Sequence, residues 1–288
     1  MSTRQTSGLW TMTKGGFEES VASLERAITK QGGNPCDLFD LFRTDNEYAC
    51  RIAQAMMRKG LVGSIGSRLA RVVLGRNIFD DADWMSYYDA KFTKKQLREA
   101  GKFPWGEDVL NSPCPFNKGK LVKDTHFAFL GLSRINGAPL TVAKWLELHP
   151  ATEQPKFYFN NDPWHVGQPH TDVATMQLRW YLMLKDIVPD STSKKPEEQV
   201  AMLPEGYEVP TTIAETTKDI LVFRKTGNRP NSSRWAACTE RIVKTDKVAA
   251  GSVGGVSCVG GFGEDGLRVG GWDGDRGYGV GVGASRRL

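Results

Sequence analysis

Two histidines and two aspartates lie within one short stretch of the chain and could together hold a metal ion. In chain order they are Asp162, His165, His170 and Asp172. Imidazole and carboxylate groups are common metal ligands. Their spacing matches no established metal motif, so we favour a polar loop packed around Trp164. The other two histidines stand alone and are predicted to be structural.

The five cysteines are the other residues that could bind a metal or form covalent links. They are Cys36, Cys50, Cys114, Cys238 and Cys258. The count is odd, no C-x-x-C pair occurs, and a disulfide framework is unusual in a chain of 288 residues. We predict reduced, mostly buried thiols in a reducing compartment, with no metal and no other cofactor.

The net positive charge of the chain is concentrated in one region. Residues 51–125 hold 14 Lys or Arg against 8 Asp or Glu. A basic patch there could bind nucleic acid or another acidic partner. No long run of like charge occurs, and a solvated helical surface is the simpler interpretation. Nucleic-acid binding through residues 51–125 is kept as an alternative function.

Composition and hydropathy indicate a globular protein. Apolar residues make up 40% of the chain and charged residues 25%, which is ordinary for a packed domain. The longest apolar runs, such as residues 127–132, are far too short to span a bilayer. Residues 1–16 lack the apolar core of a secretory signal. We therefore expect a cytoplasmic protein with no membrane span.

The N-terminal part of the chain is predicted to be helical. Phe17, Val21, Leu24 and Ile28 recur with the helical period, and Gly32 and Gly33 end that helix. Three further helices are predicted: one opened by the capping box at 44–47, a short one over 65–74, and one opened at 93–96 and ended by Gly101. We predict a helical module over residues 1–105.

Beyond the proline-containing stretch at 104–115, short apolar runs replace the helical pattern. Residues 126–132 and 180–184 are typical of buried segments, the first of them a strand. A capping box at Thr212 and Glu215 predicts a helix that Gly227 ends. Strand-like segments then follow at 235–238, 256–262, 267–269 and 280–282. The predicted fold class is therefore α+β, with short antiparallel strands in residues 106–288.

The last part of the chain is rich in glycine. Residues 251–288 contain 14 of the 31 glycines. Disorder of low complexity is one interpretation. Against it, the segment keeps apolar anchors such as Phe262, Leu267 and Trp272, which alternate with Gly, Asp, Arg and Tyr. Fixed inward positions and free outward positions would give this pattern, and Tyr, Gly and Arg favour adaptable binding surfaces.

This segment resembles the C-terminus of variable proteins of diversity-generating retroelements. The resemblance rests on residues 258–262, 266–269, 272–276 and 279–287, and more loosely on 74–77, 123–127, 180–183, 188–193 and 207–211. It implies a C-type-lectin fold of the formylglycine-generating-enzyme type over residues 106–288. It also implies a non-catalytic binding protein whose ligand is a protein or a cell-surface molecule.

In that family a reverse transcriptase introduces mutations at template adenines, so that an Asn codon AAC becomes Gly, Asp, Ser, Tyr or Arg. The excess of glycine here would then be a result of coding. The resemblance implies a ligand-contacting variable surface near residues 256–280. Its members are Gly261, Gly263, Arg268, Gly270, Gly271, Trp272, Gly274, Arg276, Gly277, Tyr278 and Gly279.

The related fold also hosts an oxidase, which uses a close pair of cysteines in its C-terminal region. Only Cys238 and Cys258 lie in that region here, and they are twenty positions apart. No G-x-S-x-G elbow, phosphate loop or HExxH helix is present either. We therefore predict that the chain is not an enzyme and keep the oxidase as a second alternative.

Three packing expectations follow from the proposed domain. The strand near 126–132 should lie beside the last strand, at 280–284. The helix that begins near Thr212 should pack under the sheet. Residues 261–278 should share one exposed face, while Trp235, Phe262, Leu267 and Trp272 act as buried anchors.

Overall fold

The structure is a computed structural model that describes residues 14–30, 33–45, 65–158, 165–248, 250–275 and 279–288. It is a mixed α and β chain with several small sheets, which agrees with the predicted α+β class. The chain divides into two compact units, residues 1–60 and residues 61–288.

The first unit contains two described helices, α1 (Lys14–Lys30) and α2 (Pro35–Thr44). Helix α1 includes the periodic apolar residues that predicted it. Thr44 ends α2 instead of opening the next helix, and its hydroxyl donates to the Asp40 carbonyl at 2.7 Å. The rest of the predicted second helix falls in residues 46–64, outside the described residues.

The second unit contains the other elements that the structure describes. Its helices are α3 (Ser67–Leu74), α4 (Asp81–Tyr88), α5 (Lys94–Ala100), α6 (Glu107–Leu110), α7 (Val122–Thr125), α8 (Val142–Leu148), α9 (Pro169–Asp172), α10 (Pro196–Val200) and α11 (Thr212–Thr226). Its strands are β1 (Ile65–Gly66), β2 (Ile78–Phe79), β3 (Lys102–Phe103), β4 (His126–Leu130), β5 (Arg134–Ile135), β6 (Ala138–Pro139), β7 (Trp180–Leu184), β8 (Tyr207–Glu208), β9 (Trp235–Arg241), β10 (Val256–Gly263), β11 (Gly266–Trp272), β12 (Val280–Val282) and β13 (Ser285–Arg286).

The boundary between the units differs from the one suggested near residue 105. Residues 65–105 do not form a separate helical module, because their large side chains belong to the main core of the second unit. Phe79, Trp84 and Phe103 are fully buried in it. Strand β2 also pairs in parallel with β4. Within this region α5 follows its prediction, with Thr93 and Gln96 forming the capping box.

Two sheets form the framework of the second unit. The first has the order β2-β4-β7-β13-β8, and the second has the order β11-β10-β9-β12. The expectation that the last strand lies beside residues 126–132 is wrong. Strand β7 separates β4 from β13, while β12 pairs in parallel with β9 in the other sheet. A sequence pattern identifies strands but does not fix which strand pairs with which.

Helix α11 packs against strands of both sheets, as predicted for the helix near Thr212. Its N-cap is Thr211, whose hydroxyl accepts from the Ala214 amide. The predicted cap, Thr212, instead binds Glu240 and Ser257 through its hydroxyl. Gly227 ends the helix in the left-handed conformation, as expected. Residues 212–222 are all buried, so this helix is the centre of the core.

The buried face of α11 carries three charged residues that the apolar pattern did not predict. Glu215, Lys218 and Asp219 are completely inaccessible to solvent. The Lys218 ammonium lies 2.5 Å from Glu215 Oε1 and 3.1 Å from Asp219 Oδ1, and only the first contact has hydrogen-bond geometry. Burial, and then the neighbouring Glu215 carboxylate, raises the pKa of Asp219 well above its usual range despite the opposing effect of Lys218.

Candidate ligand-binding surface

Strands β10 and β11 form an antiparallel hairpin that carries most of the predicted variable positions. Val259 lies opposite Val269, and both side chains are fully buried in the main core. Phe262 and Leu267 are also fully buried there. These residues fix the hairpin to the scaffold, because each buried side chain of this size contributes about 1.5–3 kcal/mol to stability.

The opposite face of the second sheet carries a separate apolar cluster. Its members are Ala237, Val256, Cys258 and Trp272, with Trp235 and Val280 packed against them. Trp235 lies at the start of β9 and is only partly buried, and Val280 is its direct neighbour on β12. The indole of Trp235 has no hydrogen-bond partner among the described residues, so it acts as an apolar plate at this surface.

Three glycines border the Trp235 indole. A Cβ added to Gly270 would lie 2.7 Å from Trp235 Cζ3, and one added to Gly261 would lie 3.3 Å from Trp235 Cζ2. At Gly279 the corresponding distance, to Trp235 Cδ1, is 3.9 Å. The indole therefore lies against bare backbone. Gly270 is required by this arrangement, because any side chain there would force the ring to move.

Gly261 has a second requirement, since its φ of +55° lies in the left-handed region. A pairing irregularity between β10 and β11 covers residues 260–263, where the strand turns into the hairpin loop. Asn and Asp tolerate this backbone conformation better than most other side chains. Substitution at 261 is therefore restricted by the backbone as well as by the space beside the indole.

A charged rim lies beside this plate. The Arg268 guanidinium stacks on the Tyr158 ring at 3.9 Å from the centroid and binds Asp265 Oδ2 at 2.5 Å. A Cβ added to Gly261 would lie 3.4 Å from Arg268 Cδ, so the rim and the plate are continuous. We define the outer hairpin surface as Trp235, Tyr158, Gly261, Arg268 and Gly279.

The predicted variable residues are not all on this surface. Gly271 is exposed, and Gly261, Gly263, Arg268, Gly274 and Gly279 are partly exposed. Gly270 and Trp272 are buried, so their assignment to the surface is wrong, as is the expectation that 261–278 share one exposed face. Both lie on the outer face, where the Trp235 indole covers Gly270 and Trp272 belongs to the apolar cluster. Arg276, Gly277 and Tyr278 lie outside the described residues.

Trp272 was predicted both as a variable-surface residue and as a buried anchor. The structure agrees with the second prediction. Trp272 is 7% exposed, and its indole N–H donates to the Asp275 carbonyl at 2.7 Å. Sequence reasoning treated Trp235 only as another anchor and did not consider Tyr158 as a surface residue. Tyr158 is 46% exposed, and both aromatic residues come from outside the variable segment. Only the fold brings them to the hairpin.

The two cysteines of the C-terminal region do not form a pair. Cys258 faces the outer apolar cluster, whereas Cys238 faces the main core beneath the sheet. Ala237, and not Cys238, lies opposite Cys258. Burial raises the pKa of the Cys258 thiol to about 12 and that of Cys238 well above its usual value. Such thiols are weak nucleophiles and weak metal ligands.

In the histidine and aspartate stretch the two histidines are buried, whereas Asp172, at the end of α9, is exposed. His165 and His170 are 1% and 3% exposed, and burial followed by the neighbouring His170 lowers the pKa of His165 to about 4. The Asp172 carboxylate accepts from the Gly167 amide and so closes the loop locally. In the described part of the chain, no three potential ligands come together as a metal site. Asp162 lies outside the described residues.

Part of the basic excess in residues 51–125 is neutralised within the fold. Arg71 binds Asp80 and Asp83, at the N-terminus of α4. The hydrogen bonds to Asp80 raise the pKa of Arg71 more than burial lowers it. Lys94, Lys95 and Arg98 remain exposed on α5. Residues 51–64 lie outside the described residues.

The described elements thus define a mixed α and β scaffold with a partly exposed aromatic surface on its C-terminal hairpin. Comparison with protein-family models, with curated protein sequences and with solved structures gave no match to this chain. Among the helices that the structure describes, none has the length and apolar character needed to cross a bilayer.

Proposed function

We propose that this chain is a non-catalytic binding protein whose outer hairpin surface contacts the ligand, a protein or a cell-surface molecule. The observation that carries the proposal is the partly exposed Trp235 indole, which lies among glycines beside a firmly anchored hairpin. Large, rigid aromatic side chains supply contact area with little loss of conformational entropy.

In the hairpin, the residues that stabilise the fold differ from those that could contact a ligand. Val259, Phe262, Leu267 and Val269 are fully buried, while Arg268 and Gly271 on the same strands reach solvent. Substitutions at exposed positions usually change stability by about 0.5 kcal/mol or less. A surface of this kind can change without loss of the fold, which is the property that a diversified binding protein needs.

We further propose the finer fold and family assignments: a C-type-lectin-like scaffold and a variable protein of a diversity-generating retroelement. Two small sheets around a buried helix, and a C-terminal hairpin with an accessible outer face, support the first. The glycine and arginine content of that hairpin supports the second. In this scheme, variation at position 270 would act indirectly, because a side chain there would displace the Trp235 indole.

The two alternatives have less support. An oxidase that uses paired cysteines needs thiols that can meet, and Cys238 and Cys258 face opposite sides of the sheet. Nucleic-acid binding would have to use the exposed basic residues of α5, such as Lys94 and Arg98. That helix has only seven residues, and Lys102 beside it is already paired with Glu99 at 3.0 Å.

Sequencing sibling copies of the gene, with the DNA that flanks each, tests the proposal. We expect a near-copy of the 3′ end beside a reverse-transcriptase gene. We also expect substitutions between copies at adenine-templated codons of positions that are at least partly exposed, such as 263, 268, 271 and 274. The inward positions 259, 262, 267 and 269 serve as the internal control and should be constant. Substitutions spread evenly over inward and outward positions would contradict the proposal.

A further inference from the structure

A concave site lies away from the outer hairpin surface. A cavity of about 390 Å³ opens where β8, the start of α11 and the segment leading into β7 meet. This volume is in the range of pockets that take small organic molecules. None of the residues proposed as variable lines it. Any ligand of this cavity is therefore distinct from the partner of the hairpin.

The cavity contains one positive and one negative side chain. Arg179 stacks on the Tyr181 ring at 4.7 Å from the centroid, which holds the guanidinium in place. Its closest approach to Glu208 is 3.7 Å, which is too long for a hydrogen bond. Arg179 Nε is buried and has no hydrogen-bond partner among the described residues. Nε itself is inaccessible, so the donors that remain for a ligand are those of the terminal Nη groups, which make no hydrogen bond among the described residues.

Glu208 likewise keeps its acceptor capacity. Its second carboxylate oxygen lies 3.5 Å from Arg287 Nε, again beyond the usual hydrogen-bond distance. Two charged groups of opposite sign thus face each other, each loosely paired. A ligand whose ammonium and carboxylate are attached to the same carbon would satisfy both groups at once, with its carboxylate on Arg179 and its ammonium on Glu208.

The rest of the cavity lining is mixed, with an apolar part beside the polar residues Thr175, Gln177, Thr211, Thr239 and Ser285. Met176, Val209 and Pro210 form the apolar part together with the Tyr181 ring, and Met176 is only 3% exposed. From these contacts we infer that the cavity binds a free α-amino acid with an apolar side chain. Arg179 and Glu208 recognise the zwitterionic head, and the apolar wall accepts the side chain.

Three matched probes test this inference by isothermal titration calorimetry on the full chain. They are L-leucine, 4-methylpentanoate, which lacks the amino group, and 3-methylbutylamine, which lacks the carboxylate. We expect leucine to bind at least about tenfold more tightly than either truncated probe, because each loses one charge-assisted contact. Equal affinity for all three, or no binding of any at about 10 mM, would overturn the inference.

Two variants assign the contacts. Arg179→Gln should abolish the preference for leucine over the amine, while Glu208→Gln should abolish the preference for leucine over the acid. Arg98→Gln, an exposed position on α5, is the control and should leave all three affinities unchanged. If Arg179→Gln does not fold, Arg179→Lys replaces it as the test, because lysine keeps the positive charge and loses the bidentate contact with the carboxylate. Variants that weaken all probes equally, with an unchanged unfolding midpoint, would also overturn the assignment.

Discussion

Replacing Phe262 by Ala should destabilise the second unit by about 3–5 kcal/mol, although this residue lies in a segment proposed to vary. Its ring is completely buried and packs against Phe223, with 5.5 Å between ring centroids. Truncation leaves a cavity between the hairpin and α11. Urea unfolding followed by tryptophan fluorescence measures the loss, because seven of the eight tryptophans lie beyond residue 60.

Gly271→Ser is the matched control for this prediction. Position 271 is on the same hairpin and exposed, and Ser is one of the outcomes expected from an AAC codon. The control should unfold within about 0.5 kcal/mol of the parent chain. If Phe262→Ala were equally neutral, the hairpin would not be packed on the core, and its inner face could not anchor a changeable surface.

Lys218→Met should destabilise the same unit by about 3–5 kcal/mol, because it leaves Glu215 and Asp219 buried without their cation. The Lys218 ammonium also donates to the Lys185 carbonyl at 2.7 Å, which would lose its partner. Lys144→Met is the matched control. Lys144 pairs with Glu147 at 2.6 Å with the same spacing along a helix, but it lies at the surface. Its loss should be at most about 1 kcal/mol.

The effect of Lys218→Met should also depend on pH. The pKa of Asp219 in the folded chain is raised by burial, so protons bind the folded state more tightly than the unfolded state. Such a group favours folding at low pH, and that contribution is lost as the pH rises towards the folded pKa. Removing Lys218 raises this pKa further. The loss of unfolding free energy should therefore be larger at pH 8 than at pH 4, and a loss independent of pH would contradict the assignment.

Much of the local structure could be predicted from the sequence, because local chemistry fixes it. The capping box at Thr93 and Gln96 opens a helix where expected, and Gly227 ends α11. The apolar runs at 126–130 and 180–184 are strands of one sheet. The strand-like segments predicted at 256–262 and 267–269 lie in strands β10 and β11, although their pairing as a hairpin was not predicted.

The remainder depends on contacts between distant residues. Nothing local indicates that β7 separates β4 from the last strand, or that Phe79 and Trp84 join the C-terminal core. Gly270 is typical of a free outward position, yet its exposure is determined by Trp235, thirty-five positions earlier. The charged residues of α11 are buried only because both sheets enclose that helix.

Hydrogen–deuterium exchange across residues 256–272 tests most directly whether the glycine-rich hairpin is a packed scaffold. If it is, the amides of Cys258 and Gly270, which lie opposite each other and face the partner strand, should exchange on the order of thousands of times more slowly than in an unstructured chain. Exchange at unstructured rates throughout β10 and β11, with β4 and β7 still protected, would contradict it. The proposed recognition surface would then have no rigid support.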